Sequence, residues 1–97
     1  MYVKIYEMKV LVLYRPNSEE ARTVESFVHD FQSRHETGRL EVLDVNTRDG
    51  YATATLYDVM SYPAILVLRD DGSILKSWEG GMLPLMDEIA YYTYSGD

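Results

Sequence analysis

Apolar positions along this chain fall into short blocks whose spacing changes from continuous to helical and back. Val10-Leu11-Val12-Leu13-Tyr14 has no polar position and is rich in β-branched and aromatic side chains, which predicts a strand covered on both faces and central in a sheet. Arg15-Pro16-Asn17 breaks that run. Asn17 followed by Glu20 three positions later has the form of a capping box, so a helix is expected with Ser18 at its first position. Glu19 and Glu20 then sit where the positive helix end favours acid. Val24, Phe27, Val28 and Phe31 recur at i, i+3, i+4, i+7 and form one apolar stripe, and Gly38 supplies a left-handed cap beyond it.

Leu40 to Val45 reads as a second strand, parallel to the first because a helix intervenes. Asn46 to Gly50 reads as a polar turn, and Tyr51 to Asp58 as a short helix carrying Ala52, Ala54, Leu56 and Tyr57. Met60-Ser61-Tyr62-Pro63 leads into a second continuous apolar run, Ala64-Ile65-Leu66-Val67-Leu68, and so into a second central strand. Arg69-Asp70-Asp71-Gly72 has the composition of a hairpin turn. Ser73 to Trp78 returns with alternation, Ile74, Lys76 and Trp78 facing opposite to Leu75 and Ser77. Gly80-Gly81 ends that ribbon. Pro84 opens a last helix with Leu85, Ile89 and Tyr92 on one face and Met86, Ala90 and Thr93 beside it. The expected order is β-α-β-α-β-β-α, an α/β chain with a mixed central sheet flanked by helices. Met1 to Glu7 is either an extension of the first strand or a separate edge strand.

At 97 residues, 46% hydrophobic and 26% charged, the chain reads as one globular domain over residues 1–97. A net charge of −7 opposes contact with a phosphate backbone, so nucleic acid is not an expected partner. The imbalance is local: up to Arg39 there are six basic and six acidic residues, and from Leu40 onward three and ten. The longest apolar runs, Val10 to Tyr14 and Ala64 to Leu68, fall far below the ~20 residues needed to span a bilayer. Met1 to Glu7 is Tyr-rich and includes Lys4 and Glu7, unlike a signal peptide. A cytoplasmic location without membrane contact is therefore expected. The absence of cysteine excludes disulfides, thiolate metal sites and cysteine nucleophiles.

The segment from Val10 through Ala21 resembles the strand, turn and helix start of thioredoxins and glutaredoxins, with Ser18 and Ala21 where that superfamily places its two cysteines. Tyr62 through Leu68, followed by Arg69 through Leu75, is similar to its cis-proline loop, central strand and hairpin, and Trp78-Glu79-Gly80-Gly81 to its glycine after the last strand. The resemblance spans roughly residues 8 to 94. It implies a thioredoxin-like fold, a cis bond before Pro63, and backbone groups beside that proline free to pair with an extended peptide. Catalysis in that superfamily needs a low-pKa thiolate and a resolving cysteine one turn later, and thioredoxins commonly add a buried Asp where Val12 stands here. A serine hydroxyl is far less acidic than a thiol and cannot exchange with a disulfide. Thiol–disulfide oxidoreductase activity is thereby excluded, and no catalytic residue is assigned.

Candidates for binding are Tyr14, Arg15, Asn17, Ser18, Tyr62 and Pro63, with Tyr57 expected nearby, since exposed aromatic residues frequently anchor interfaces. For Ser18 and Asn17 the simpler role is to cap and begin a helix. His29 and His35, six positions apart, lie on different helix faces and make no metal pair. Ser18, His29 and Asp30 have the residue types of a catalytic triad, but eleven positions of helix, about 16 Å of rise, separate the serine from the histidine. Asp44, Asp49, Asp58, Asp70, Asp71, Asp87 and Glu88 lack calcium-loop spacing and read as a solvated acidic face. Tyr91, Tyr92 and Tyr94 offer either a homodimer contact or packing on the sheet. The expectation is a redox-inactive module that binds a protein or peptide and needs no cofactor or metal. The alternative is a glutathione or thiol-ligand site built from Ser18, Arg15 and the Pro63 loop, as in glutathione transferases.

Overall fold

The computed structural model describes residues 8–34, 40–80, 83–84 and 86–93. Its elements are β1 (Lys9–Tyr14), α1 (Ala21–Arg34), β2 (Glu41–Asp44), α2 (Arg48–Leu56), β3 (Ala64–Leu68), β4 (Ile74–Glu79) and α3 (Met86–Thr93). The strands form one mixed sheet in the order β2-β1-β3-β4. β1 pairs parallel with β2 and antiparallel with β3, and β3 pairs antiparallel with β4. The two continuous apolar runs are thus the two inner strands, because only a strand with neighbours on both edges and helices on both faces has no solvent-facing position. All of Val10 to Leu13 and of Ala64 to Leu68 is buried.

Two cores follow from the pleat. Val10, Val12, Ile65 and Val67 point to one face, where Val24 and Phe31 of α1 and Ile89 and Ala90 of α3 cover them. Leu11, Leu13, Ala64, Leu66 and Leu68 point to the other, where Ala54 of α2, Val45 and Val59 complete the layer. The predicted stripe of α1 is fully used, since Phe27 and Val28 pack against the first core beside Val24 and Phe31. Tyr92 and Met86 of α3 pack there too, while Tyr91 stays exposed with its ring edge-on to Tyr92 at 5.1 Å. Leu85, Gly38, Gly81, Tyr94 and Met1 to Glu7, and the side chain of Thr93, lie outside the described residues.

Several boundaries differ from the sequence expectation. α1 begins at Ala21, three positions after Ser18, and its first i→i−4 bond runs from Val24 N–H to Glu20 C=O. The Asn17–Glu20 capping box does not form, because the chain is still turning there: Ser18 donates both its N–H (3.1 Å) and its hydroxyl (2.7 Å) to Arg15 C=O. α2 starts earlier than expected, at Arg48, because Thr47 is its N-cap: the Thr47 hydroxyl accepts from Gly50 N–H at 3.1 Å and donates to Asp44 C=O at 2.6 Å. Strict alternation along β4 also fails. Val67 pairs with Lys76 and Leu68 with Ile74, which leaves Leu75 as a bulge. Leu75 and Trp78, of opposite parity in sequence, therefore both pack on the first core.

Candidate functional site at the Pro63 loop

The antiparallel register sets Leu13 opposite Ala64. The segment leaving β1 and the segment entering β3 consequently meet at one end of the sheet. There the Arg15 guanidinium lies over the Tyr62 ring, 4.7 Å from its centroid, a cation–π contact between residues 47 positions apart in sequence. Pro63 is buried and its peptide bond to Tyr62 is cis. Its C=O accepts from Gly80 N–H at 3.0 Å, which fastens the loop to the end of β4.

A second fastening comes from a residue that sequence reading did not single out. One carboxylate oxygen of Glu79 accepts from Met60 N–H at 3.1 Å and Ser61 N–H at 3.2 Å. Two main-chain donors of the approach to Pro63 are therefore satisfied by a side chain 18 and 19 positions further on. No local signal in the sequence points to it. The main-chain N–H and C=O of Tyr62, by contrast, make no hydrogen bond within the described residues.

The remaining candidates divide. Ser18 is half-buried with its hydroxyl proton on Arg15 C=O, Ala21 is 6% exposed, and Ala21 N–H donates to Ser18 C=O at 3.2 Å. Asn17 and Arg15 are exposed. Tyr14 packs on the face of the sheet covered by α1 and α3, whereas Tyr62 packs on the face covered by α2. Tyr14 donates to a carboxylate oxygen of Glu25 at 2.9 Å. Burial, then that hydrogen bond and the negative charges of Glu25 and Asp44, push its phenol above the ordinary tyrosine value. Tyr57 does not join the site: its hydroxyl donates to Gly72 C=O at the hairpin, beyond the opposite end of β3. His29 and Asp30 are exposed on α1, and His35 lies outside the described residues. Among the described residues no cluster of three or more His, Asp or Glu side chains has the arrangement of a metal site. Glu88 of the acidic set is paired with Lys76 at 3.2 Å, and Asp71 accepts from Ser73.

No protein-family model matches the chain, and no curated protein sequence does. Solved structures do match. The germline-specific thioredoxin Deadhead of Drosophila melanogaster is 23% identical over 76% of this chain and 69% of its own, with a TM-score of 0.64. An uncharacterised thioredoxin-like protein of Clostridium perfringens aligns over 92% of this chain and 70% of its own at 12% identity and a TM-score of 0.68. Thioredoxin O2 of Arabidopsis thaliana in its oxidised state is 9% identical over 78% and 65%, with a TM-score of 0.64. The fold is thioredoxin-like. This thioredoxin-like chain has no cysteine and therefore no Cys-x-x-Cys motif. Thiolate attack on a disulfide has no atom here to start from. Among the described residues no helix is long and apolar enough to cross a membrane.

Proposed function

We propose that this chain is a redox-inactive thioredoxin-like module that acts by binding a protein or peptide at the end of the sheet formed by Arg15, Tyr62 and Pro63. The observation that carries this reading is the Tyr62 segment. Its main-chain donor and acceptor have no partner within the described residues, while the flanking loop is held by Glu79 and Gly80. A fixed loop with unpaired backbone groups loses little entropy when an extended segment pairs with it. The half-buried Tyr62 ring, already stacked by Arg15, adds an aromatic anchor beside those groups.

The glutathione alternative is less well supported by the same geometry. A serine that holds a thiolate must donate its hydroxyl proton, and the Ser18 proton is committed to Arg15 C=O at 2.7 Å. Affinity capture from the source cell with the wild-type chain and with Tyr62→Asp separates the readings. A protein retained by the wild type and lost by the variant is the expected result. Equal retention by both overturns the site. Glutathione is expected to leave the amide NMR signals of Ser18 and Tyr62 unmoved, and saturable shifts at both would favour the thiol-ligand reading instead.

A further inference from the structure

The outward face of α2 has an unusual composition for a helix that meets only water. Between Asp49 and Asp58 there is no charged residue, whereas α1 exposes Arg22, Glu25, Asp30 and Arg34. A surface helix ordinarily carries charges on its solvent side. Here Arg48, Ala52 and Thr55 recur at i, i+4, i+7 along one line of exposed positions, with Tyr51 on one flank and Leu56 on the other. Tyr51 is 68% exposed and Leu56 73%, and neither joins a core. We infer that this face is a contact between two copies of the chain, packed as an antiparallel helix pair in which Arg48 of each copy meets Asp58 of the other.

The helix is held as a rigid platform. Gly50 lies against the main chain of Asp44, where a Cβ has no room, and Thr47 caps the first turn. At the other end Val59 N–H donates to Ala54 C=O at 2.9 Å and Asp58 N–H to Thr55 C=O at 3.2 Å, the paired bonds of a Schellman ending. Asp58 itself sits in the left-handed region at φ 57°. Little backbone ordering is left for association to impose. Ala52 and Thr55, small and central, let a second helix approach closely, and Tyr51 and Leu56 supply apolar area at the flanks.

Charge names the occupant. Arg48 and Asp58 are exposed, and neither side chain has an ion-pair or hydrogen-bond partner among the described residues. Their places in the chain put them about 15 Å apart along the helix. A second α2 laid antiparallel on the first therefore brings unlike charges together at both ends, as an isologous two-fold contact requires. The two-fold axis also sets each flank against the same flank of the other copy. Asp58 shares the Tyr51 flank, since both line one groove with Thr55. Asp49 falls on the Leu56 flank, so the two acids are kept apart. A net charge of −7 opposes indiscriminate association of copies. Asp87 and Glu88, however, belong to α3, on the other face of the sheet from α2. The complement of the α2 face is thus the face itself.

Nine residues of helix make a patch about 14 Å long, below the area of a stable dimer, so the pair should be half-formed on the order of 100 µM. Sedimentation velocity of the full chain, from micromolar to millimolar concentration, is expected to show monomer passing to dimer. Leu56→Glu changes an exposed side chain outside both cores and should abolish the dimer. Arg48→Asp and Asp58→Lys should each weaken self-association about tenfold, because two ion pairs become like-charge contacts. Mixed in equal amounts, these two variants should associate as the wild type does, since each offers the charge the other lacks. Where circular dichroism shows Asp58→Lys unfolded, Asp58→Asn, which tolerates the left-handed conformation, should weaken the dimer about threefold. A monomer at every concentration overturns the proposal. So does a dimer that Leu56→Glu leaves intact, a mixture of folded charge variants that associates no better than its components, or an undiminished dimer in Asp58→Asn. The contact does not use Arg15, Tyr62 or Pro63, so its failure leaves the protein-binding reading above standing.

Discussion

Gly50 stands inside α2, where alanine is normally the better residue by about 1 kcal/mol. An added Cβ would lie 2.0 Å from the backbone oxygen of Asp44 and 2.6 Å from its carbonyl carbon, far inside contact distance. Backbone cannot yield as a side-chain tip does. Gly50→Ala is therefore expected to destabilise the chain by about 2–3 kcal/mol, opposite in sign to the helix scale, as read by urea denaturation. Tyr14 supplies a second prediction at this scale. Its folded-state pKa is raised above the usual 10.0, chiefly by burial and then by Glu25. The folded state holds the phenolic proton more tightly than the unfolded chain, so this contribution to stability is present below the ordinary tyrosine pKa. It is lost as pH rises through the folded value. Stability measured across the alkaline range should fall less steeply in Tyr14→Phe than in the wild type.

At the scale of elements, α2 depends on a cap that bridges it to β2. The Thr47 hydroxyl accepts from Gly50 N–H and donates to Asp44 C=O, so one side chain serves both the helix start and the strand end. Thr47→Ala should cost about 1 kcal/mol, the usual value for a lost N-cap, measurable as a lower denaturation midpoint with unchanged slope. The start of α1 carries a complementary expectation. Ala21 N–H donates to Ser18 C=O at 3.2 Å, placing the two residues one tight turn apart. Ser18→Cys with Ala21→Cys should oxidise to an intramolecular disulfide, seen as loss of two hydrogens in the intact mass of a monomer. Reductase activity should remain weak, because Glu19 and Glu20 beside the first thiol oppose its ionisation and Val12 is no proton acceptor. A variant that folds but stays reduced would show that Ser18 and Ala21 are not placed as described.

For the whole molecule, architecture and chemistry separate cleanly. The thioredoxin-like sheet, both cores and the fastened Pro63 loop are present, and sulfur nucleophiles are absent. Fold alone does not confer the reaction. The chain should therefore leave insulin disulfides unreduced with dithiothreitol as electron source, at the rate of the uncatalysed background.

Hydrophobic patterning by itself determined the two inner strands and the apolar stripe of α1, because burial of these positions leaves a trace in their immediate sequence; the intervening helix determined the parallel crossover to β2, and the turn residues Arg69 to Gly72 the hairpin. Val10 to Leu13 and Ala64 to Leu68 had to be covered on both faces, and they are. Absence of cysteine determined equally directly what chemistry the chain cannot perform. The folded structure showed which of several competing local turns start α1 and α2: Arg15 C=O captures Ser18, and Thr47 bridges to Asp44, each three positions away, in place of the Asn17–Glu20 pattern. It also decided the bulge that turns Leu75 and Trp78 to one face, the meeting of Arg15 with Tyr62, the separation of Tyr14 from Tyr62 across the sheet, and the hold of Glu79 on the loop. Each of the last four depends on strand register or on a partner far along the chain. A contact between residues distant in sequence imposes no period on either neighbourhood, so it stays invisible until the chain is folded.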